Sequence, residues 1–420
     1  MAVVATIIFL GTLTVIVFEW AHRTKAALVG AGLMVVIGVL DDKQATDAVD
    51  WGTLGLLVGM MIVVGLSERT GIFTYLSLKA AQIARGNGFV LLLLLAGVTG
   101  VLSAFLDNLT AILLVVPVTL LVGSLLKISP IPLVITEVMA SNIGGTATLI
   151  GDPPNIMIGT HVKQLSFSDF IVNLAPVSIV TLLLVTCFLY LVFRRSLRSA
   201  PDRAAYVMEL DPMQEVRESQ NVGRTLAILI ATIVLFFLHS TLHLAPAVVA
   251  LVGATAMLVV VTGVDIEDAL DRVQWSTIFF FICLFVMVGG LEQRGVIDHI
   301  ANGIAGLTDS RTGETMTILW GSAAGSALVD NIPFTAGMIP VVDKLQAGEA
   351  FDAVRWWALS LGACFGGNAT MIAAAANVAA SGVLEESGKP IGFLRFLAVG
   401  VPVTLLSLAI ASAYLLVFHL

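Results

Sequence analysis

Two stretches of the chain, about 223 residues apart, place the same polar pair inside apolar runs. The first reads Leu102-Ser103-Ala104-Phe105-Leu106-Asp107-Asn108-Leu109-Thr110, the second Gly325-Ser326-Ala327-Leu328-Val329-Asp330-Asn331-Ile332-Pro333. An ionised carboxylate among such neighbours is costly and marks a pathway by default. Each pair is followed by a glycine break: Asn142-Ile143-Gly144-Gly145-Thr146-Ala147-Thr148, then Cys364-Phe365-Gly366-Gly367-Asn368-Ala369-Thr370. Interrupted apolar segments at matching places in two halves are the sequence signature of a secondary transporter and its binding site.

The surroundings are membrane-like. Of 420 residues 58% are hydrophobic and only 12% charged, with a mean hydropathy of +1.00, which excludes a soluble domain of this length. The glycine content and the lack of alternating strand-like segments exclude an outer-membrane barrel. Cys187, Cys283 and Cys364 lie far apart in apolar segments and form neither a metal-binding nor a disulfide pattern. No cofactor motif and no nucleophile–base set appears, so an enzyme is not expected. The first apolar run has no basic flank and reads as a retained span.

Ten crossings are expected, at roughly 3–20, 26–40, 51–67, 131–160, 168–193, 224–242, 245–262, 275–291, 351–384 and 393–418. Two further runs, about 89–126 and 315–342, hold the Asp-Asn pairs. As one helix the first would measure ~54 Å, too long for a single crossing, so it folds back. A re-entrant hairpin buried in protein is favoured, because Pro333 follows the second pair and the second copy's arms look short. The fold class is thus an all-α polytopic membrane protein: two inverted repeats, about ten spanning helices (two of them broken), and two re-entrant hairpins. The first half is residues 1–195, with its repeat over about 51–160. A polar linker, 196–223, precedes the second half, 224–420, with its repeat over about 275–384. Each crossing of the second copy comes five places after its counterpart, an odd number, which inverts one copy relative to the other. With the N-terminus outside, 15 basic residues face inward and 6 outward, so both termini are expected outside.

The chemistry is expected at the breaks and tips. Gly144-Gly145 and Gly151-Asp152-Pro153-Pro154-Asn155 interrupt one helix, and Gly366-Gly367 the other, with Asn377 standing where Asn155 stands. Unwound backbone at membrane depth must line a cavity or be buried in protein. Asn108, Asn331, Asn142, Thr146, Thr148, Asn368 and Thr370 would bind cargo beside it, although Gly-Gly also serves plain close packing of helices. Asp107 and Asp330 are the proton-handling candidates; either could equally cap the helix that follows it. Asp152 has only Ala374 opposite it in the second half, an asymmetry that packing does not require, although Asp before Pro-Pro is also ordinary turn chemistry. Glu137 is expected in support beside the break or in an aqueous entrance, Cys364 in support, and Trp356 and Trp357 as a membrane-interface anchor.

These motifs resemble the ion transporter superfamily, in the branch of ArsB-type arsenite permeases, NhaD-type sodium/proton antiporters and the melanosomal P protein. The resemblance rests on Ser103 to Thr110, Pro117-Val118-Thr119, Thr136-Glu137-Val138, Asn142 to Asn155, Asp330 to Pro340 and Leu359 to Asn377. It implies broken helices around a midplane site, a core that moves against a scaffold, and often a homodimer. In an arsenical-resistance system it further implies a soluble ATPase partner. Dicarboxylate importers of the superfamily carry Ser-Asn-Thr at the hairpin tips, where Asp107 and Asp330 stand here and would repel a dianion. Enterobacterial arsenite permeases carry Asn-Asp where this chain has Asp107-Asn108. The expectation is proton-coupled efflux of arsenite and antimonite across the bacterial cytoplasmic membrane. The alternative is sodium/proton antiport, in which sodium would compete with protons for the same oxygens; a channel on the same fold fits inverted repeats less well. No cofactor, resident metal or nucleic acid is expected.

Overall fold

Each apolar run becomes a helix, because in lipid only a helix satisfies every backbone donor and acceptor within its own segment. The computed structural model describes residues 1–198, 204–216, 219–261, 265–308 and 310–420, and every element among them is helical. Part of the linker, with Arg203 and Arg217 of the charge count, lies outside the described residues. Among the described residues seven helices of 18 residues or more are apolar enough to cross a membrane. Three shorter apolar ones, Ala2–Val17, Ile131–Gly145 and Pro246–Val260, accompany them. This is a polytopic helical membrane protein.

The order of elements repeats. After Ala2–Val17, Arg23–Val36 and Trp51–Glu68, the first half continues with Ile72–Ala84, a hairpin, a broken helix and Phe167–Phe193. Ser219–Leu238, Pro246–Val260 and Trp275–Gln293 begin the second half, followed by Val296–Ala305, a hairpin, a broken helix and Phe393–Phe418. Ser219 already belongs to a helix, so the last residues of the expected linker are helical. Gly71 and Gly295 make the same left-handed turn at the same place in each copy, with φ of 73° and 72°.

Packing sorts these helices into two groups. In an outer frame Arg23–Val36 lies on Trp275–Gln293, and Trp51–Glu68 on Pro246–Val260, so each half contributes one helix to each pair. Gly59 permits the second contact: a Cβ there would stand 2.6 Å from the Ala250 carbonyl carbon. In the core, each hairpin's first arm lies on its own half's broken helix. The second arms cross over: Asn108–Leu126 packs on Ala375–Glu386, and Asn331–Leu345 on Pro153–His161. This reciprocal exchange relates the two copies by an approximate twofold.

Three sequence expectations are corrected. The second hairpin's arms are not short: Arg311–Val329 and Asn331–Leu345 have 19 and 15 residues, against 18 and 19 in the first. Pro333 breaks nothing, because it sits in the first turn of its arm, where the missing N–H has no intrahelical partner to lose. The chain reverses at Asp330 itself. Trp356 and Trp357 do not anchor an interface; both are buried, and Trp357 meets Phe170 edge-on at 5.1 Å.

Candidate functional site

Both hairpin tips end at the breaks rather than at a far surface. Thr148, in the first break, donates to Ala104 O beside the first tip; Thr370, in the second, donates to Ala327 O at 2.8 Å. Asn331 N donates to Ala373 O at 3.2 Å. The broken helices run on past these contacts as Pro153–His161 and Ala375–Glu386, so the tips stop part-way along them. Of the tip residues Asn108, Asp330 and Asn331 are buried and Asp107 is half-buried.

Both aspartates cap the arm that follows. Asp107 Oδ1 accepts from Thr110 N at 3.0 Å, and its Oδ2 from Thr110 Oγ1 at 2.5 Å. Asp330 Oδ1 accepts from Ile332 N at 2.9 Å. The two differ in backbone: Asp107 is extended, whereas Asp330 has φ 114° and ψ 141°, a region that non-glycine residues rarely occupy.

From the first tip a continuous amide network runs to the break of the second half. Ser103 Oγ donates to Asn108 Oδ1 at 2.5 Å, and Asn108 Nδ2 donates to Asn142 Oδ1 at 3.1 Å. Asn142 Nδ2 donates across the halves to Asn368 Oδ1 at 2.8 Å and Asn377 Oδ1 at 3.1 Å. Asn155 and Asn377 hold the breaks open. Asn155 Nδ2 donates to the carbonyls of Thr146 and Thr148, and Asn377 Nδ2 to those of Gly367 and Thr370. Such buried amides fix one geometry because every lost partner would be costly.

Asp152 lies between the halves, fully buried. Its Oδ1 accepts from Asn331 Nδ2 of the opposite tip at 3.1 Å, and its Oδ2 has no partner. Glu137 is likewise buried: Thr119 Oγ1 donates to its Oε1, and Oε2 is unpartnered. Cys364 approaches Asn155 Oδ1 at 3.9 Å, while Ser360 Oγ donates to the same oxygen at 2.5 Å.

A cavity of about 50 Å³ opens where core meets frame. Asp107, Asn108, Asp152 and Asn331 line it from the core; Arg23, Leu57, Met61, Gln274 and Thr277 line it from the frame. Of the residues the sequence singles out, four thus reach the cavity. Asn142, Asn155, Asn368 and Asn377 stand behind them, and Thr146 is bonded back onto Asn142 O. Gly144 and Gly366 serve packing: a Cβ on Gly144 would stand 2.2 Å from Gly100 O, and one on Gly366 2.6 Å from Ala323 O. Gly145 abuts the Asn108 side chain.

Arg23 escaped the sequence reading, where it counts only as an inward basic residue. Its Nη1 stands 4.0 Å from Asp330 Oδ2, its Nη2 donates to Thr277 Oγ1 at 3.4 Å, and its guanidinium lies 5.4 Å from the centre of the Phe280 ring. One signal was available: the matching stretch of the second half, Ala245-Pro246-Ala247, carries no basic residue.

Comparison with known proteins now adds to this geometry. A family model described as a citrate transporter, CitMHS, matches residues 13–362. The chain belongs to that family. An uncharacterized transporter of Mycobacterium tuberculosis is 40% identical over 423 residues, covering 99% of this chain and 98% of the relative. The P protein of Mus musculus is 33% identical over 501 residues; this chain spans 60% of its length. Among solved structures, the YdaH transporter of Alcanivorax borkumensis aligns with a TM-score of 0.58 at 18% identity, covering 86% of this chain and 84% of that one. That last likeness speaks for the fold alone. A CitMHS-family chain of this architecture is a membrane transporter.

Proposed function

We propose that this CitMHS-family chain is a secondary transporter that exports arsenite, and with it antimonite, in exchange for protons. The observation that carries the reading is the seam cavity, small and lined by Asp107 and Asn108 of the first hairpin tip, Asn331 of the second and Asp152 of the break. About 50 Å³ holds a few water-sized groups. Arsenite at neutral pH is the uncharged triol As(OH)3, which needs donors and acceptors and no counter-charge. A tricarboxylate in this cavity would meet Asp107 and Asp152 beside a single guanidinium.

Proton coupling is assigned to Asp152, with Asp107 and Asp330 at the tips. A buried carboxyl inside a membrane is a functional group by default. Asp152 Oδ2 can take a proton without giving up any hydrogen bond, because it makes none. The two halves, related by an approximate twofold, then offer alternating access around this site.

Sodium/proton antiport is the second reading, and one observation favours it: three aspartates and only one arginine gather at the tips and the cavity. In the bacterial cytoplasmic membrane, with both termini outside as the 15-to-6 bias indicates, efflux appears as uptake into inverted vesicles. Labelled arsenite, antimonite and sodium compared in such vesicles, under an imposed pH gradient, test the proposal. Gradient-driven accumulation of arsenite without sodium supports export. Sodium-dependent proton movement with no arsenite uptake assigns the chain to antiport.

A further inference from the structure

Arg23 belongs to the frame, and Asp330 belongs to the core. The guanidinium is held on the frame side by Thr277 and Phe280, both on Trp275–Gln293. It reaches across the seam to the tip of the second hairpin. Asp330 divides its two oxygens: Oδ1 caps Ile332, and Oδ2 faces Arg23. At 4.0 Å the pair is loose, an ion pair without a tight hydrogen bond, so it can break without leaving a buried donor orphaned.

Arg23 also stands between two spaces. On one side is the 50 Å³ seam cavity; on the other is a vestibule of about 480 Å³, bordered by Glu19, His22, Val329 and Asp330. The charged or titratable groups around the pair are therefore Glu19 and His22 in the vestibule and Asp107 and Asp152 in the cavity. Among the described residues the first hairpin's tip has no such partner, and the equivalent of Arg23 is apolar. The clasp is one-sided in a fold that is otherwise nearly twofold.

We propose that Arg23 is a positioning residue for transport: it clasps Asp330 across the seam and so favours the arrangement of frame and core described here. The clasp opens when cargo or a coupling ion takes over Asp330. A one-sided clasp biases the two access states unequally, which a symmetric pair of repeats could not do. This inference rests on the reading of the chain as a transporter whose core moves. It is independent of which cargo is carried.

The test measures the arrangement directly, without cargo. Spin labels go on exposed Val36 of the frame and exposed Val378 of the core, in a Cys187→Ala background where the remaining cysteines are buried. Distance distributions are recorded in lipid for the parent and for Arg23→Gln, Asp330→Asn, the double variant and Arg23→Lys. Arg23→Met repeats the charge removal while keeping an apolar stem against Phe280, in case Arg23→Gln folds poorly. The inference expects each charge removal to change the ratio of two distance populations by roughly fivefold or more. The double variant should match the singles, because both remove one interaction, and Arg23→Lys should stay near the parent. Unchanged distributions in both single variants, or effects that add in the double, overturn the clasp. A single distance that no variant and no pH alters would instead remove the moving-core reading itself. Arsenite transport failing while the distances respond as expected would leave the clasp standing and reject only the cargo.

Discussion

Asn331 Nδ2 donates to Asp152 Oδ1 at 3.1 Å, joining the second half's hairpin tip to the first half's broken helix. Asp152 has no equivalent in the second half, where Ala374 stands instead. The first half's break thus carries an acidic group that the second half lacks, served by an amide from the opposite copy.

Asn331→Ala should leave that buried oxygen without a donor and cost about 1–3 kcal/mol. Thermal unfolding in detergent, compared with Asn331→Asp and the parent, measures it. A variant as stable as the parent would mean that water replaces the amide at no cost.

Asp330 combines a cap with an unfavourable backbone, and glycine separates the two. Asp330→Gly loses a cap worth about 1 kcal/mol but releases strain of about 1–3 kcal/mol. Its stability should equal or exceed that of the parent, whereas Asp330→Ala should be clearly less stable. Both should lose transport if the carboxylate is needed. Equal stability of the two variants would show that φ 114° carries no strain.

How much of this was legible in the sequence depends on the range over which each residue acts. The polytopic helical architecture, the two tips and the two breaks were legible, because apolar length, paired glycines and Asp-Asn repeats are local signals. Asp152 stood out through its missing counterpart, Ala374. Arg23 did not, since nothing near it in the chain points to Asp330, and a basic residue opening an apolar helix looks like an interfacial anchor. Trp356 and Trp357 failed for the related reason that helix ends in a two-layer core are covered by neighbours from the other half. Glu137, read as a support beside the break or at an aqueous entrance, is wholly buried against Thr119, a partner that only the hairpin's return brings near.

The close approach of hairpin and broken helix gives a steric prediction. In Gly144→Ala the new methyl would overlap the Gly100 backbone, which cannot yield as a side chain can, so the first hairpin must shift. A loss of about 1–3 kcal/mol and of transport is expected. Gly382→Ala, with open space around it, should be neutral in both assays. Tolerance of Ala at 144 would refute the tight contact.

Asp352 caps the second broken helix through Val354 N and accepts two hydrogen bonds from Arg311, at 2.7 and 2.9 Å. Partial burial pushes its carboxyl up, but the Arg311 and Val354 hydrogen bonds outweigh this and hold it below the usual carboxylate range. A depressed folded value means that the stabilisation is fully present above the unfolded pKa of about 4 and lost as pH falls through the folded one. Asp352→Asn should therefore cost under about 1 kcal/mol at neutral pH, and the gap should close on acidification. Melting curves across that range report it; a gap that widens toward acid would reverse the sign.

The central claim is that a carboxyl at the meeting of the two hairpin tips couples proton movement to a small cargo. Asp152→Asn tests it most directly, since the amide keeps the size and the acceptor for Asn331 but cannot carry the exchanged proton. The measurement is proton flux driven by an imposed arsenite gradient in vesicles containing equal amounts of folded parent or variant. The account predicts flux in the parent and none above protein-free vesicles in Asp152→Asn. Undiminished arsenite-driven proton flux in the variant would contradict it.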